Sequence, residues 1–166
     1  MAEQTLDYYL AAFEKMNRAV MRGVKAPHKP LLLLSILNLV KRNVIDSNQI
    51  QLSDGLVYEF KRLWLYYVDY LDGYDTIMVA EGLEMDIPRW YPFKCSIENP
   101  FYHMQHEPFW RLIKKADIPI AEKKFYTSIK SLRMNFAYAE MDEELFEMMK
   151  DGEMSLRIKD KLLEIM

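Results

Sequence analysis

Cysteine is almost absent from this sequence, and its scarcity excludes several classes of protein. The single cysteine, Cys95, cannot form an internal disulfide, and no cysteine pair is available for a zinc finger or ribbon. The first fifteen residues carry acids where a secretory signal peptide needs positive charge. The longest strongly apolar run, Leu31 to Val40, is too short to span a bilayer. These features predict a cytoplasmic protein without a membrane span.

Glycine and proline are also scarce, with five and seven among 166 residues, which favours helices over a strand-and-turn sandwich. Hydrophobic residues make up 51% of the chain and aromatic residues 13%, enough to build a core and to exclude disorder. The sequence therefore predicts one domain over residues 1–166. Its expected class is α+β, mainly α: a compact helical domain with a small antiparallel sheet.

Charge is segregated along the chain, although the net charge is only -3. Residues 15–45 contain seven Lys/Arg and no acid, and residues 99–139 contain seven against three acids. The acids are concentrated elsewhere, with ten against four bases in residues 46–98 and nine against four in residues 140–166. The mildly acidic total therefore does not exclude a site for a polyanion.

Apolar spacings of three and four predict an amphipathic helix over residues 5–21, ended by Gly23, with Arg18 and Arg22 on one face. A second helix over residues 30–42 is apolar almost all round, which predicts a central, buried position. Further helices are predicted over about 53–71, 142–150 and 153–165. Short strands are predicted at 48–52, 109–113 and 124–128. Between them, residues from about 72 to 100 are predicted to form a long structured loop or insertion with one or two strands.

The segment Lys25-Ala-Pro-His-Lys-Pro, followed by four leucines, places basic residues at a helix N-terminus. Side-chain charge there adds to exposed backbone donors, which favours an anion site. The alternative is that His28 and Lys29 merely solvate the start of a buried helix.

A second segment, Asn99-Pro-Phe-Tyr-His-Met-Gln-His-Glu-Pro-Phe-Trp-Arg-Leu, interleaves aromatic rings with histidines, an amide and an arginine. Stacking surfaces beside cations suit nucleic acid. Residues such as Phe101, Phe109 and Trp110 more often belong to the core, so Tyr102, His103 and Gln105 are the better surface candidates. His103 and His106 lack a carboxylate or cysteine to complete a metal site.

No catalytic or cofactor motif stands out: the sequence has no phosphate-binding Walker loop, no glycine-rich dinucleotide turn and no nucleophile elbow. Its three scattered histidines do not supply the compact general-base and metal constellation of a His-Asn-His nuclease. We therefore expect a non-catalytic domain without metal or cofactor.

Taken together, three segments resemble the N-terminal DNA-binding module of HNH-type restriction endonucleases, which includes the sulfur-binding domains that recognise phosphorothioate-modified DNA. The likeness lies in Ala26-Pro-His-Lys-Pro-Leu-Leu-Leu-Leu, in Pro100-Phe-Tyr-His-Met-Gln with the trailing Pro108-Phe-Trp-Arg-Leu, and in Asp142-Glu-Glu-Leu-Phe. It implies a non-catalytic reader of phosphorothioate-modified or otherwise modified DNA. In that family an HNH nuclease domain usually follows, so we expect a nuclease domain or subunit as a partner.

The resemblance also implies two groups of site residues. The expected phosphate contacts are Arg18, Arg22, Lys25, His28 and Lys29. The expected recognition pocket is formed by Pro100, Phe101, Tyr102, His103 and Gln105. In the sulfur-binding members a shallow apolar pocket around a Tyr-Pro step accepts the sulfur, which is larger and less well hydrated than oxygen. Here Asn99 precedes Pro100, and a Tyr91-Pro92-Phe93 step occurs upstream.

Two other functions compete with DNA reading. The first is a protein-interaction or scaffold domain of a bacterial defence system that uses the acidic middle and C-terminal faces. The second is an uncharacterised enzyme. The discriminating question is whether bases from the two positive segments meet on one face of the molecule. The oligomeric state is left open by the sequence.

Overall fold

The computed structural model describes residues 4–70, 74–90, 92–115 and 128–166, and it confirms an α+β fold that is mainly helical. The helices are α1 (Leu6–Glu14), α2 (His28–Lys41), α3 (Asp54–Leu63), α4 (Glu98–His103), α5 (Ile129–Asn135), α6 (Glu143–Lys150) and α7 (Gly152–Ile165). The strands are β1 (Val20–Met21), β2 (Val24–Lys25), β3 (Gln49–Ile50), β4 (Tyr74–Ala80), β5 (Leu83–Pro88), β6 (Trp110–Lys114) and β7 (Phe136–Met141). A π-helix (Trp64–Tyr70) continues α3, and a 3-10 turn (Met104–His106) continues α4.

Helix α2 forms the centre of the molecule, as its all-round apolar character predicts. Nearly every side chain from Lys29 to Val40 is buried, and the helix packs against α3, α4, α6 and α7. It begins at His28, two residues before the predicted start, so that Pro30 lies in the first turn, where the missing N–H costs no helical hydrogen bond. Across the described ranges, no helix has the length and apolar character needed to cross a membrane.

The predicted antiparallel sheet is present as three strands in the order β3-β7-β6. The central strand β7 aligns Met141 with Trp110 on one side and Ala139 with Ile50 on the other. All four of these side chains are buried, so the sheet closes one side of the core. Two separate hairpins, β1–β2 and β4–β5, complete the strands that the structure describes.

The prediction of one helix over residues 5–21 is wrong, because α1 ends at Glu14 and the β1–β2 hairpin follows it. The hairpin turn has positive φ at both central residues, 53° at Arg22 and 76° at Gly23. Such angles suit a tight two-residue turn between twisted strands. The amide N–H of Ala26 donates to the Ala19 carbonyl at 2.7 Å and closes the hairpin. Arg18 and Arg22 therefore do not share a helical face.

Other predicted element boundaries agree more closely with the structure. Ser53 caps α3 by accepting a hydrogen bond from the Leu56 N–H at 3.1 Å, but the α-helix gives way to the π-helix after Leu63. The predicted loop or insertion at about 72–100 contains the β4–β5 hairpin and the start of α4. Helix α5 and strand β7 were not predicted.

Two predictions for the C-terminal part of the chain concern a strand at 124–128 and the start of a helix at Asp142. The strand predicted at 124–128 falls outside the described residues except for Ser128, which caps α5. Asp142 precedes α6 as predicted, but its carboxylate makes no capping bond. It accepts hydrogen bonds from the Tyr9 hydroxyl at 2.9 Å and from Arg111 Nη1 at 2.8 Å, and so ties α1 and β6 to the start of α6.

Candidate functional site

A cleft of about 620 Å³ opens beside the N-terminal end of α2. It brings together residues from both sequence motifs, although these motifs are far apart along the chain. Five of the predicted site residues line it: Arg18, His28, Lys29, Pro100 and His103. The other lining residues are Asn17, Ala19, Ala26, Phe93, Asn99 and His106.

Arg18 fixes the wall formed by the β1–β2 hairpin. Its Nε–H donates to the Ala26 carbonyl at 2.7 Å, and its Nη2–H donates to the Lys25 carbonyl at 3.4 Å. Its Nη1–H reaches the Ile165 carbonyl at 2.7 Å, near the end of α7. Burial lowers the pKa of Arg18 to about 10, so the guanidinium stays charged at neutral pH. Much of its donor capacity thus serves to hold backbone in place.

His28, the first residue of α2, is half-buried between two aromatic rings. Its ring centre lies 4.8 Å from that of Trp64 and 5.9 Å from that of Phe93. Its Nε2 lies 2.7 Å from the Lys94 carbonyl, an acceptor, which assigns the proton to Nε2. Burial lowers the pKa of His28, so the imidazole is neutral at neutral pH.

Lys29 lies at the floor of the cleft, with its charge already paired. Its ammonium is 3.6 Å from the Glu107 carboxylate, and both side chains are buried. Burial lowers the pKa of Lys29, and the neighbouring Glu107 opposes that effect. The other oxygen of Glu107 accepts a hydrogen bond from the Asn17 backbone N–H at 3.2 Å. The pair therefore joins the start of α2 to the residue that follows the 3-10 turn.

The opposite wall is built by α4 and the 3-10 turn. Pro100 is buried and presents its ring to the cleft, while Asn99 and His106 are exposed. The imidazoles of His103 and His106 stack with their centres 5.8 Å apart and an interplanar angle of 23°. This wall offers flat rings and one carboxamide.

The remaining predicted residues do not line the cleft. Arg22 and Lys25 are exposed on the β1–β2 hairpin, and Arg22 Nη2 donates to the Arg89 carbonyl at 2.8 Å. Phe101 is buried and lines a second, smaller cavity, and its carbonyl accepts from Trp110 Nε1 at 3.1 Å. Tyr102 is half-buried against the Phe136 ring, and Gln105 is exposed.

Sequence reasoning missed several residues of the cleft. Asn99 and His106 stand inside the second motif, as does Glu107, the partner of Lys29, so their position in it was a usable signal. Phe93 belongs to the upstream Tyr91-Pro92-Phe93 step, of which Tyr91 lies outside the described residues. Nothing in the sequence distinguished Asn17. Among the described residues, no three His, Cys, Asp or Glu side chains group as metal ligands would.

No protein-family model matches the chain, and no curated protein is significantly similar to it.

Proposed function

We propose that this chain is a DNA-binding recognition module of the restriction-endonuclease type, non-catalytic in itself. The observation that carries the proposal is that the basic segment before α2 and the aromatic, histidine-bearing segment around α4 meet at one cleft at the start of α2. The lysine and arginine that line this cleft, Arg18 and Lys29, both come from the first positive segment, and the second contributes histidines and a carboxamide. A helix N-terminus carries partial positive charge and favours anionic or electron-rich groups.

Exposed cations on the segments beside the cleft support the proposal. Arg22 and Lys25 lie on the β1–β2 hairpin, while Arg89 and Lys94 flank Phe93 along the chain. Hydrogen bonds hold these segments together, from Arg22 to the Arg89 carbonyl and between His28 and the Lys94 carbonyl. Phosphate contacts of this kind position a protein on DNA, and the groups inside a recognition site supply the specificity.

The test is binding to a short DNA duplex over a salt series, followed by fluorescence anisotropy. Binding should weaken as salt rises, and Lys25→Ala should reduce the log–log slope by about 0.9 if Lys25 contacts one phosphate. Lys159→Ala is the matched control, because it removes one exposed lysine from α7, away from the cleft lining. A salt slope near zero for the unaltered chain would remove the proposal.

The non-catalytic part of the proposal has its own test. The purified chain incubated with DNA and Mg²⁺ or Mn²⁺ should leave the DNA intact, and cleavage that persists through stringent purification would contradict it. If the DNA stays intact, we expect cutting to belong to an HNH domain or subunit that acts with this module in the cytoplasm.

A protein-interaction function is the second candidate, and one observation favours it. Large apolar side chains are exposed on the β4–β5 hairpin: Met78, Val79, Leu83 and Met85. Exposed apolar groups close together mark protein contact sites more often than isolated ones do. Concentration-dependent association that Leu83→Lys abolishes, with no affinity for DNA, would favour this candidate.

A further inference from the structure

We infer that the cleft accepts one unstacked nucleobase of the bound DNA, while the phosphates stay at its rim. This inference rests on the proposed function and names what enters the site. The chemical class is a planar, neutral heteroaromatic group with hydrogen-bonding edges.

The cations and the imidazole at the floor of the cleft already have ion-pair or hydrogen-bond partners, which argues against a phosphate there. Lys29 is paired with Glu107, and His28 is neutral with its Nε2 proton donated to the Lys94 carbonyl. Arg18 is bonded to three backbone carbonyls. A phosphate at this depth would lose its hydration and gain few uncommitted donors, and burial of an uncompensated charge is costly.

The walls suit a flat, uncharged ligand better. The stacked imidazoles of His103 and His106 and the Pro100 ring lie on one wall, and the Phe93 ring, in contact with His28, also lines the cleft. Bases stack on aromatic faces whatever their sequence, because every base has a π-face. The cleft also has the volume of a small-molecule site, which is typically about 300–1,000 Å³, whereas a single backbone sulfur needs only a small apolar patch.

Two carboxamides supply the hydrogen-bonding edge. Asn17 and Asn99 both line the cleft and are exposed, and within the described ranges neither side chain has a hydrogen-bond partner. A carboxamide offers a donor and an acceptor side by side, which matches the paired groups on the edge of a base. The partial positive charge at the start of α2 favours the carbonyl oxygens of such a base.

The experiment compares a matched duplex with four duplexes that each carry one central mismatch. In these four duplexes the mismatched base of one strand is A, C, G or T in turn. Extrusion costs less where pairing is already broken, so at least one mismatched duplex should bind about tenfold more tightly than the matched duplex. In duplexes with 2-aminopurine beside the mismatch, its fluorescence should rise on binding, because its stacked neighbour has left the helix.

Variants separate the cleft from its rim. Asn99→Ala and His106→Ala should remove the preference for mismatched DNA, and His106→Phe should keep most of it because the stacking face remains. Lys25→Ala is the matched control, and it should weaken matched and mismatched duplexes by the same factor. Near-ultraviolet circular dichroism of each variant checks that the fold is intact.

The outcomes distinguish this inference from the proposed function. Absence of any salt-dependent DNA binding removes both. Salt-dependent binding with equal affinity for all five duplexes and unchanged 2-aminopurine fluorescence overturns the inference and leaves the function standing. A preference for phosphorothioate over plain duplexes without a fluorescence change also overturns it, because the ligand would then be the modified backbone.

Discussion

The ammonium of Lys29 lies 3.6 Å from the carboxylate of Glu107, with only 8% and 7% of the two side chains exposed. This contact fastens the basic segment at the start of α2 to the aromatic and histidine-rich segment around α4. A buried ion pair adds little net stability over an apolar pair, but removal of one partner leaves the other charge buried and uncompensated. The geometry of the cleft therefore depends on both residues.

Glu107→Gln should destabilise the fold by about 3–5 kcal/mol, because the Lys29 charge loses its partner while the amide oxygen can still accept from Asn17. Urea unfolding measures the change. Glu140→Gln is the matched control: the Glu140 side chain is 38% exposed and pairs with exposed Arg111, so loss of this pair should cost less than about 1 kcal/mol. An equal loss of unfolding free energy in the two variants would show that the buried Lys29–Glu107 pair does not fasten the two segments of the cleft together.

Much of the fold could be predicted because its signals are local. The leucine run of α2 predicts a buried helix, and the helix start predicted at Ser53 or Asp54 agrees with α3, which Ser53 caps. The end of α1 could not be predicted in this way. Met16 and Val20 continue the apolar spacing of a helix, but Val20 belongs to a hairpin whose turn relies on positive φ at Arg22 and Gly23. Arg18 stabilises this hairpin through bonds to the Lys25 and Ala26 carbonyls and, at long range, to the Ile165 carbonyl, and apolar spacing carries no signal of such bonds.

The site was predictable where its residues stand in the motifs or, for Arg18, in the acid-free stretch of residues 15–45. His28, Lys29, Pro100 and His103 were identified because each is in a basic or aromatic segment. Their partners are distant along the chain, as in the bond from Arg18 to the Ile165 carbonyl. Residue type indicated that Phe101 suits the core, as its burial confirms, but it could not show that His103 lines the cleft whereas Tyr102 and Gln105 do not.

The acid sensitivity of the fold should depend on His28. Burial lowers its folded pKa below the ordinary value of 6.5, so the unfolded chain takes up a proton at a higher pH than the folded chain does. The contribution of His28 to the free energy of unfolding is therefore constant above about pH 6.5, and it falls as the pH drops from there through the folded pKa.

Urea unfolding at neutral and at mildly acidic pH should show that acid lowers the free energy of unfolding less for His28→Gln than for the unaltered chain. An NMR titration should give a pKa below 6.5 for the His28 imidazole. An imidazole that titrates at or above that value would contradict the prediction.

Two glycines allow the cleft hairpin to be perturbed without a steric clash. Gly23 in the β1–β2 turn has φ 76° and Gly82 in the β4–β5 turn has φ 72°, and a Cβ at either position would meet no atom within 4 Å. Alanine should therefore cost only the backbone penalty, about 1 kcal/mol at each site. Gly23→Ala should also weaken DNA binding, whereas Gly82→Ala should not. An equal loss of DNA affinity in both variants would show that DNA binding does not depend specifically on the β1–β2 hairpin.

The residue before Pro100 allows a gain-of-function test of the family resemblance. The sulfur-binding domains place a tyrosine there, whereas this chain has exposed Asn99 at the edge of the cleft. Asn99→Tyr should add apolar contact and cheaper desolvation for sulfur, each a small effect. We expect the ratio of affinities for phosphorothioate and plain duplexes to rise by about tenfold, or roughly 1.4 kcal/mol, relative to the unaltered chain. Asn99→Ala controls for simple loss of the amide and should leave the ratio unchanged. If Asn99→Tyr binds both duplexes with the same ratio as the unaltered chain, the cleft does not correspond to the sulfur pocket of that family, even if DNA binding itself persists.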